Sequence, residues 1–228
     1  MRIAGIHKLS LLDYPGKLAC TVFFSGCNLR CPYCHNAELI SACYEGENIS
    51  RTDFEAFLDS RVGKIDGVCI SGGEPTLLPQ LPDFIKSIRK KGFSVKLDTN
   101  GTNPKMLKRL MEERLIDYAA MDIKNSRMRY SETCGAEVLP QAEESVRLLT
   151  DGEVDYEFRT TVCKPLHTVN DMKDIGTWLK GAKRYFIQQF VDSGNTPSKG
   201  LQPFSPEEIK QLENAVLAYI PNTRIRGV

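Results

Sequence analysis

Long apolar runs are missing from this sequence. The longest one near the N-terminus covers residues 18–24 and is interrupted by Thr21, far short of the ~20 residues that a membrane span requires. No membrane anchor is expected. Residues 1–16 lack the apolar segment of a secretory signal, so the expected location is cytoplasmic. An excess of one charge is missing too: 30 Lys and Arg stand against 29 Asp and Glu, leaving +1. A chain so balanced has no overall field to hold a polyanion, and no nucleic-acid partner is expected. Internal repeats and low-complexity segments are absent. With 41% hydrophobic residues and 17 Gly, a packed core is within reach, and neither a disordered nor a fibrous chain fits. At roughly 100–200 residues per domain, the 228 residues are read as one domain, 1–228. Its core is placed at about 15–190, with a C-terminal loop and helix at 191–228.

What the sequence does have is alternation. Short, nearly continuous apolar or β-branched runs at 18–24, 67–70, 94–98, 118–123, 156–162 and 184–190 read as buried parallel strands. Helical patterns at 51–61, 79–91, 104–113, 140–150, 171–181 and 206–219 separate and follow them. Asn103 before Pro104 is a helix start, Asn170 and Asp171 open another, and Gly92 and Gly152 follow two helix ends. Six strand–helix units predict an α/β fold, a partial (β/α)6 barrel left open because closure takes eight. The tail 224–228 is read as an extended segment covering a sheet edge.

Cysteine is plentiful, at eight residues, and a reducing compartment favours ligands or buried thiols over disulfides. Cys27, Cys31 and Cys34 follow the first expected strand with spacing C-x3-C-x2-C. Iron–sulfur clusters commonly take four thiolates, so a loop of three leaves one iron of a [4Fe-4S] cluster open to a small ligand. Zinc held with His35 is the alternative, although no second cysteine arm is present. Cys20, Cys43, Cys69, Cys134 and Cys163 show no such spacing, and Cys20 and Cys69 are expected as core thiols.

The cysteine loop, with Tyr33 before its last cysteine, resembles the signature of radical S-adenosylmethionine (SAM) enzymes. Five segments in order, L-L-D-Y-P-G (11–16), C-P-Y-C-H-N (31–36), S-G-G-E-P (71–75), D-T-N-G (98–101) and M-D-I-K (121–124), resemble glycyl-radical-enzyme activases. The resemblance is greatest to activating proteins of anaerobic ribonucleoside-triphosphate reductase. It implies that Cys27, Cys31 and Cys34 hold the cluster and that Ser71, Gly72, Gly73 and Glu74 bind the methionyl amino group of SAM. Asp98, Lys124 and Arg159 are expected around SAM, with Tyr33 near the adenine. In the formate-lyase activase branch the positions of Asp98, Thr99 and Asp122, with the carbonyl of Ala120, hold a monovalent cation, which is expected here too. An Asp122–Lys124 ion pair of purely structural role is the plain alternative. Asp13 and His35 are candidate substrate contacts, whereas His7 and His167 are read as ordinary. A histidine after the last barrel strand is not matched, since Gln189 and Phe190 stand there.

The implied activity is reductive cleavage of SAM to a 5′-deoxyadenosyl radical that abstracts hydrogen from a glycine of a partner glycyl radical enzyme. The implied electron donor is flavodoxin or ferredoxin. A radical SAM enzyme acting on a small molecule, and a non-catalytic iron–sulfur or zinc protein, remain as alternatives.

Overall fold

The computed structural model describes residues 3–41, 46, 48–192 and 194–227. Cys43 lies outside them. Eight strands form one sheet in sequence order: β1 (Ile3–Ser10), β2 (Ala19–Phe24), β3 (Gly67–Gly72), β4 (Ser94–Thr99), β5 (Tyr118–Asp122), β6 (Asp155–Val162), β7 (Tyr185–Gln189) and β8 (Thr223–Arg226). β1 runs antiparallel to β2, and every later pair is parallel. The helices are α1 (Arg51–Asp59), α2 (Leu81–Lys90), α3 (Pro104–Glu112), α4 (Tyr130–Cys134), α5 (Leu139–Asp151), α6 (Val169–Trp178) and α7 (Pro206–Leu217).

Strands β2 to β7 are the six expected strand–helix units. β1 was not expected, because an edge strand with one solvated side carries little apolar pattern: its residues Ile6 to Leu9 are half-buried or exposed. The tail does cover a sheet edge, pairing as β8 on β7. The sheet therefore extends beyond 15–190 at both ends. The two ends of the strand order, β1 and β8, do not pair with each other, so the barrel is open along one side.

Alternation along the strands sorts two environments. Val22 and Phe24 of β2 face the helices, where Phe24 meets Phe84 edge-on and Phe84 stacks on Phe54, each pair with ring centroids 5.3 Å apart. The opposite face of β4 and β6 carries Lys96, Asp98, Glu157 and Arg159, linked to one another's neighbours across the barrel interior. Tyr14 closes the floor against Tyr118, with centroids 6.1 Å apart. Helix starts follow local chemistry. The Asn103 side chain accepts from Met106 N at 3.2 Å. α6 begins two residues earlier than expected because Thr168 caps it: Thr168 accepts from Asp171 N, and the Asp171 carboxylate accepts from Thr168 N, a reciprocal capping box.

Candidate active site

The cysteine loop leaves β2 at Gly26, and its base is tied down by Gly26 N to Leu39 O (2.8 Å) and Cys27 N to Ile40 O (3.0 Å). Arg30 staples the loop from outside, its Nη1 donating to Cys27 O and Leu29 O at 2.8 Å each. Two donors approach the Cys27 sulfur: Leu29 N at 3.4 Å and Asn100 Nδ2 at 3.9 Å. Cys27, Cys31 and Cys34 all line one cavity of about 460 Å³, a volume within the range of small-molecule sites. Burial pushes the Cys31 thiol up to about 12 and that of Cys27 in the same direction. Thiolates here need a cationic partner, and a metal centre supplies one. Among the described residues, no three His, Cys, Asp or Glu side chains are grouped closely enough to hold a single metal ion.

The turn after β3 explains its glycines differently from the sequence reading. A Cβ on Gly72 (φ +120°) would meet Phe24 O at 2.2 Å, and one on Gly73 would meet Gly26 O at 2.2 Å. The glycines let this turn pack against the root of the cysteine loop. Glu74 is corrected. Its side chain does not line the cavity; it is buried, accepting from Thr76 N (3.1 Å), Thr99 Oγ1 (2.7 Å) and Asn100 N (2.6 Å). It clamps the ends of β3 and β4 together.

Asp98 and Asp122 do reach the same rim, with Ser71 and Gly72–Gly73 beside them. Arg159, opposite Asp122 in the β5–β6 register, bridges the two: Nε lies against Asp122 Oδ1, and Nη2 is 3.3 Å from Asp98 Oδ2. Lys124 binds Asp122 Oδ2 at 2.9 Å, Ser71 donates to Asp98 Oδ2 at 3.1 Å, and Lys96 meets Asp98 Oδ1. Burial opposes the charge on both carboxylates, but Arg159, with Lys96 at Asp98 and Lys124 at Asp122, outweighs it and holds them below the usual aspartate range. The residues expected around a monovalent cation are engaged by neighbouring side chains. All four carboxylate oxygens are taken by side-chain donors, the Thr99 hydroxyl is turned to Glu74, and Ala120 is fully buried in the sheet. Lys96 went unnoticed in the sequence. The signal was there, a lysine two residues before Asp98 in an apolar strand, which places both on one face.

Tyr33 lines the cavity but is nearly fully buried, its hydroxyl 3.2 Å from Lys124 O and its ring edge-on to His167 at 5.9 Å. His167 also reaches Lys124 O, through Nε2 at 3.0 Å, while Nδ1 accepts from Cys163 N. Burial keeps this ring below the usual histidine range, so it is a neutral core histidine that fixes the Lys124 backbone. His35 sits at the mouth, 5.7 Å from Phe190. Asp13 lines the far wall, accepting from Thr21 Oγ1 at 2.5 Å, with His7 Nδ1 3.6 Å away. The segment after β7 returns over the cysteine loop, where Ser198 N donates to Pro32 O at 3.1 Å, and Gln189 holds its far end through Phe204 N and O. Cys20, Cys69, Cys134 and Cys163 are buried and free.

Residues 21–179 match the family model of the radical SAM superfamily. The chain belongs to the radical SAM superfamily. It is a radical SAM enzyme, and membership brings a [4Fe-4S] cluster and SAM as cofactors. A Methanocaldococcus jannaschii protein provisionally named a glycyl-radical enzyme activating enzyme is 34% identical over 99% of this chain and 96% of its own length. A 7-carboxy-7-deazaguanine synthase of Thermococcus kodakarensis is 30% identical over 60% of each chain. Among solved structures, Streptococcus suis SuiB bound to its precursor peptide SuiA shares the fold, with TM-score 0.72 at 16% identity; the match covers 91% of this radical SAM chain and 48% of SuiB. No described helix is long and apolar enough to cross a membrane.

Proposed function

We propose that this radical SAM enzyme is an activase that generates the glycyl radical of a partner enzyme, the partner being anaerobic ribonucleoside-triphosphate reductase and the electron donor a cytoplasmic flavodoxin or ferredoxin. Cys27, Cys31 and Cys34 hold the cluster, the donors to the Cys27 sulfur suiting a thiolate that carries charge. With cluster and SAM bound, the cofactors supply a 5′-deoxyadenosyl radical that abstracts hydrogen. Ser71, Gly72 and Gly73 receive the amino end of SAM, Arg159 and Lys124 its carboxylate, and Tyr33 borders the adenine. Asp13 and His35, both lining the cavity, meet the substrate.

The observation that carries this reading is extent. Likeness to an activase-named relative runs end to end, whereas likeness to the deazaguanine synthase stops at 60% of the chain. The open side of the barrel supports it, because a backbone loop needs a lateral entry. So do Leu11 and Leu12, 77% and 88% exposed beside Asp13, since exposed apolar pairs suit a protein surface. The second reading, a small heterocyclic substrate, rests on the synthase likeness.

The test is anaerobic incubation of reconstituted enzyme with SAM, a low-potential reductant and separate glycyl radical enzymes, followed by electron paramagnetic resonance. A glycyl signal on the ribonucleotide reductase is expected. A signal only on another such enzyme would replace the partner. No glycyl signal on any, with turnover of a pterin-like compound, would replace the activase reading.

A further inference from the structure

Three cations, Lys96, Arg159 and Lys124, and two carboxylates, Asp98 and Asp122, form one linked row, of which all but Lys96 line the cavity. Two of the cations sit at the ends of the row, and one positive charge is left over. Lys96 is the member that faces no solvent. Its side chain is 3% exposed, reaching only Asp98 Oδ1 and, at 3.6 Å, the sulfur of Cys69. A buried ammonium is costly unless an anion faces it, so Lys96 and Asp98 constrain each other. The arrangement leaves Asp98 with Oδ1 satisfied from below by the ammonium and Oδ2 free to hold Ser71 and Arg159 in place. Strand register makes this possible: Cys69 and Lys96 are direct partners in the β3–β4 pair, and Lys96 and Asp98 share a strand face.

We propose that the ammonium of Lys96 is a built-in counter-ion of the SAM site, which fixes Asp98, Ser71 and Arg159 and makes SAM binding independent of any added alkali cation. Lys96 is thus a positioning residue, acting through Asp98 rather than by touching SAM. The inference rests on the reading of this cavity as the SAM site. A point charge on a covalent stem has the advantage over a diffusible ion that no site has to be filled from solution before the ligand carboxylate arrives.

The experiment measures SAM affinity of the anaerobically reconstituted protein by calorimetry in potassium, sodium and tetramethylammonium chloride at equal ionic strength. The parent should bind equally in all three, within about twofold. Lys96→Met, which keeps the stem and removes the charge, should bind about tenfold or more weakly in every salt, the size of a lost hydrogen bond to a charged group. Lys96→Ala, which opens space beside Asp98, should be as weak in tetramethylammonium and recover in potassium or sodium. A parent whose affinity falls with tetramethylammonium, a Lys96→Met variant binding like the parent, or a Lys96→Ala variant that no alkali cation restores would each overturn the proposal. The parent series needs no variant to fold. A parent that binds no SAM in any salt, with four irons present, would instead remove the reading of the cavity on which the inference stands.

Discussion

Arg159 is the residue on which most of the rim depends, since it alone touches both Asp98 and Asp122. Replacing it with Met removes one of the two cations that each carboxylate faces, leaving Asp98 with Lys96 and Asp122 with Lys124, a loss of charged hydrogen bonds that costs ~1.5–3 kcal/mol apiece at most. Arg159→Met should therefore lower the urea midpoint of the cluster-free protein, and Lys should restore part of it. The same pairs set a pH dependence. Both carboxyls are held below the usual aspartate value, so their stabilisation is complete above that value, about 4, and is lost as pH falls through their lower folded values. Denaturation midpoints should drop below about pH 4 in the parent and drop less steeply in Asp122→Asn. An equal slope in both would separate the acid transition from this pair. The cysteines give a sharper test. Cys27→Ala, Cys31→Ala or Cys34→Ala should each abolish binding of four irons and four sulfides, and Cys134→Ala, although buried beside the loop, should not.

At the scale of elements, what was legible in the sequence was local. The cysteine loop, the caps at Asn103 and after α2, and the six strand–helix units are each written in a few adjacent residues. Glu74 and Lys96 were not legible, because what they do depends on which strand end lies beside which. A glutamate in a glycine-rich turn looks like a ligand until the register brings Thr99 and Asn100 to its carboxylate. β1 was illegible for a related reason, one of its sides being solvated. The glycines of the β3 turn show the same dependence. Their need for a missing side chain comes from β2 and the cysteine loop, so Gly73→Ala should push Gly26 aside at a cost of about 1–3 kcal/mol, as overpacking does. Iron content after reconstitution should fall although no ligand has changed. Full iron loading with unchanged thermal stability would show that the loop root yields freely.

At the scale of the whole molecule, the proposed activase function asks how a glycine of another protein would reach a cavity lined by the ends of β3 to β7. The sheet answers in part by not closing, and Asp13 lies on the wall beside the gap, held by Thr21 of β2 and following two exposed leucines. An extended backbone entering there loses its hydration and needs hydrogen-bond acceptors and donors on arrival. Asp13, His35 beside Phe190 and the segment tied through Ser198 to Pro32 are the candidates to provide them. Among the described residues, none of the three is ion-paired to the charge row proposed to face SAM. Asp13→Asn keeps the size and removes the charge, so cleavage of SAM without a partner should stay near the parent rate. Glycyl radical yield on the partner should fall several-fold, the effect expected from one weakened charged hydrogen bond. Spin counting of the glycyl signal and chromatography of 5′-deoxyadenosine, run on the same reactions, separate the two quantities. If both fell together, Asp13 would belong to the SAM site rather than to the entrance.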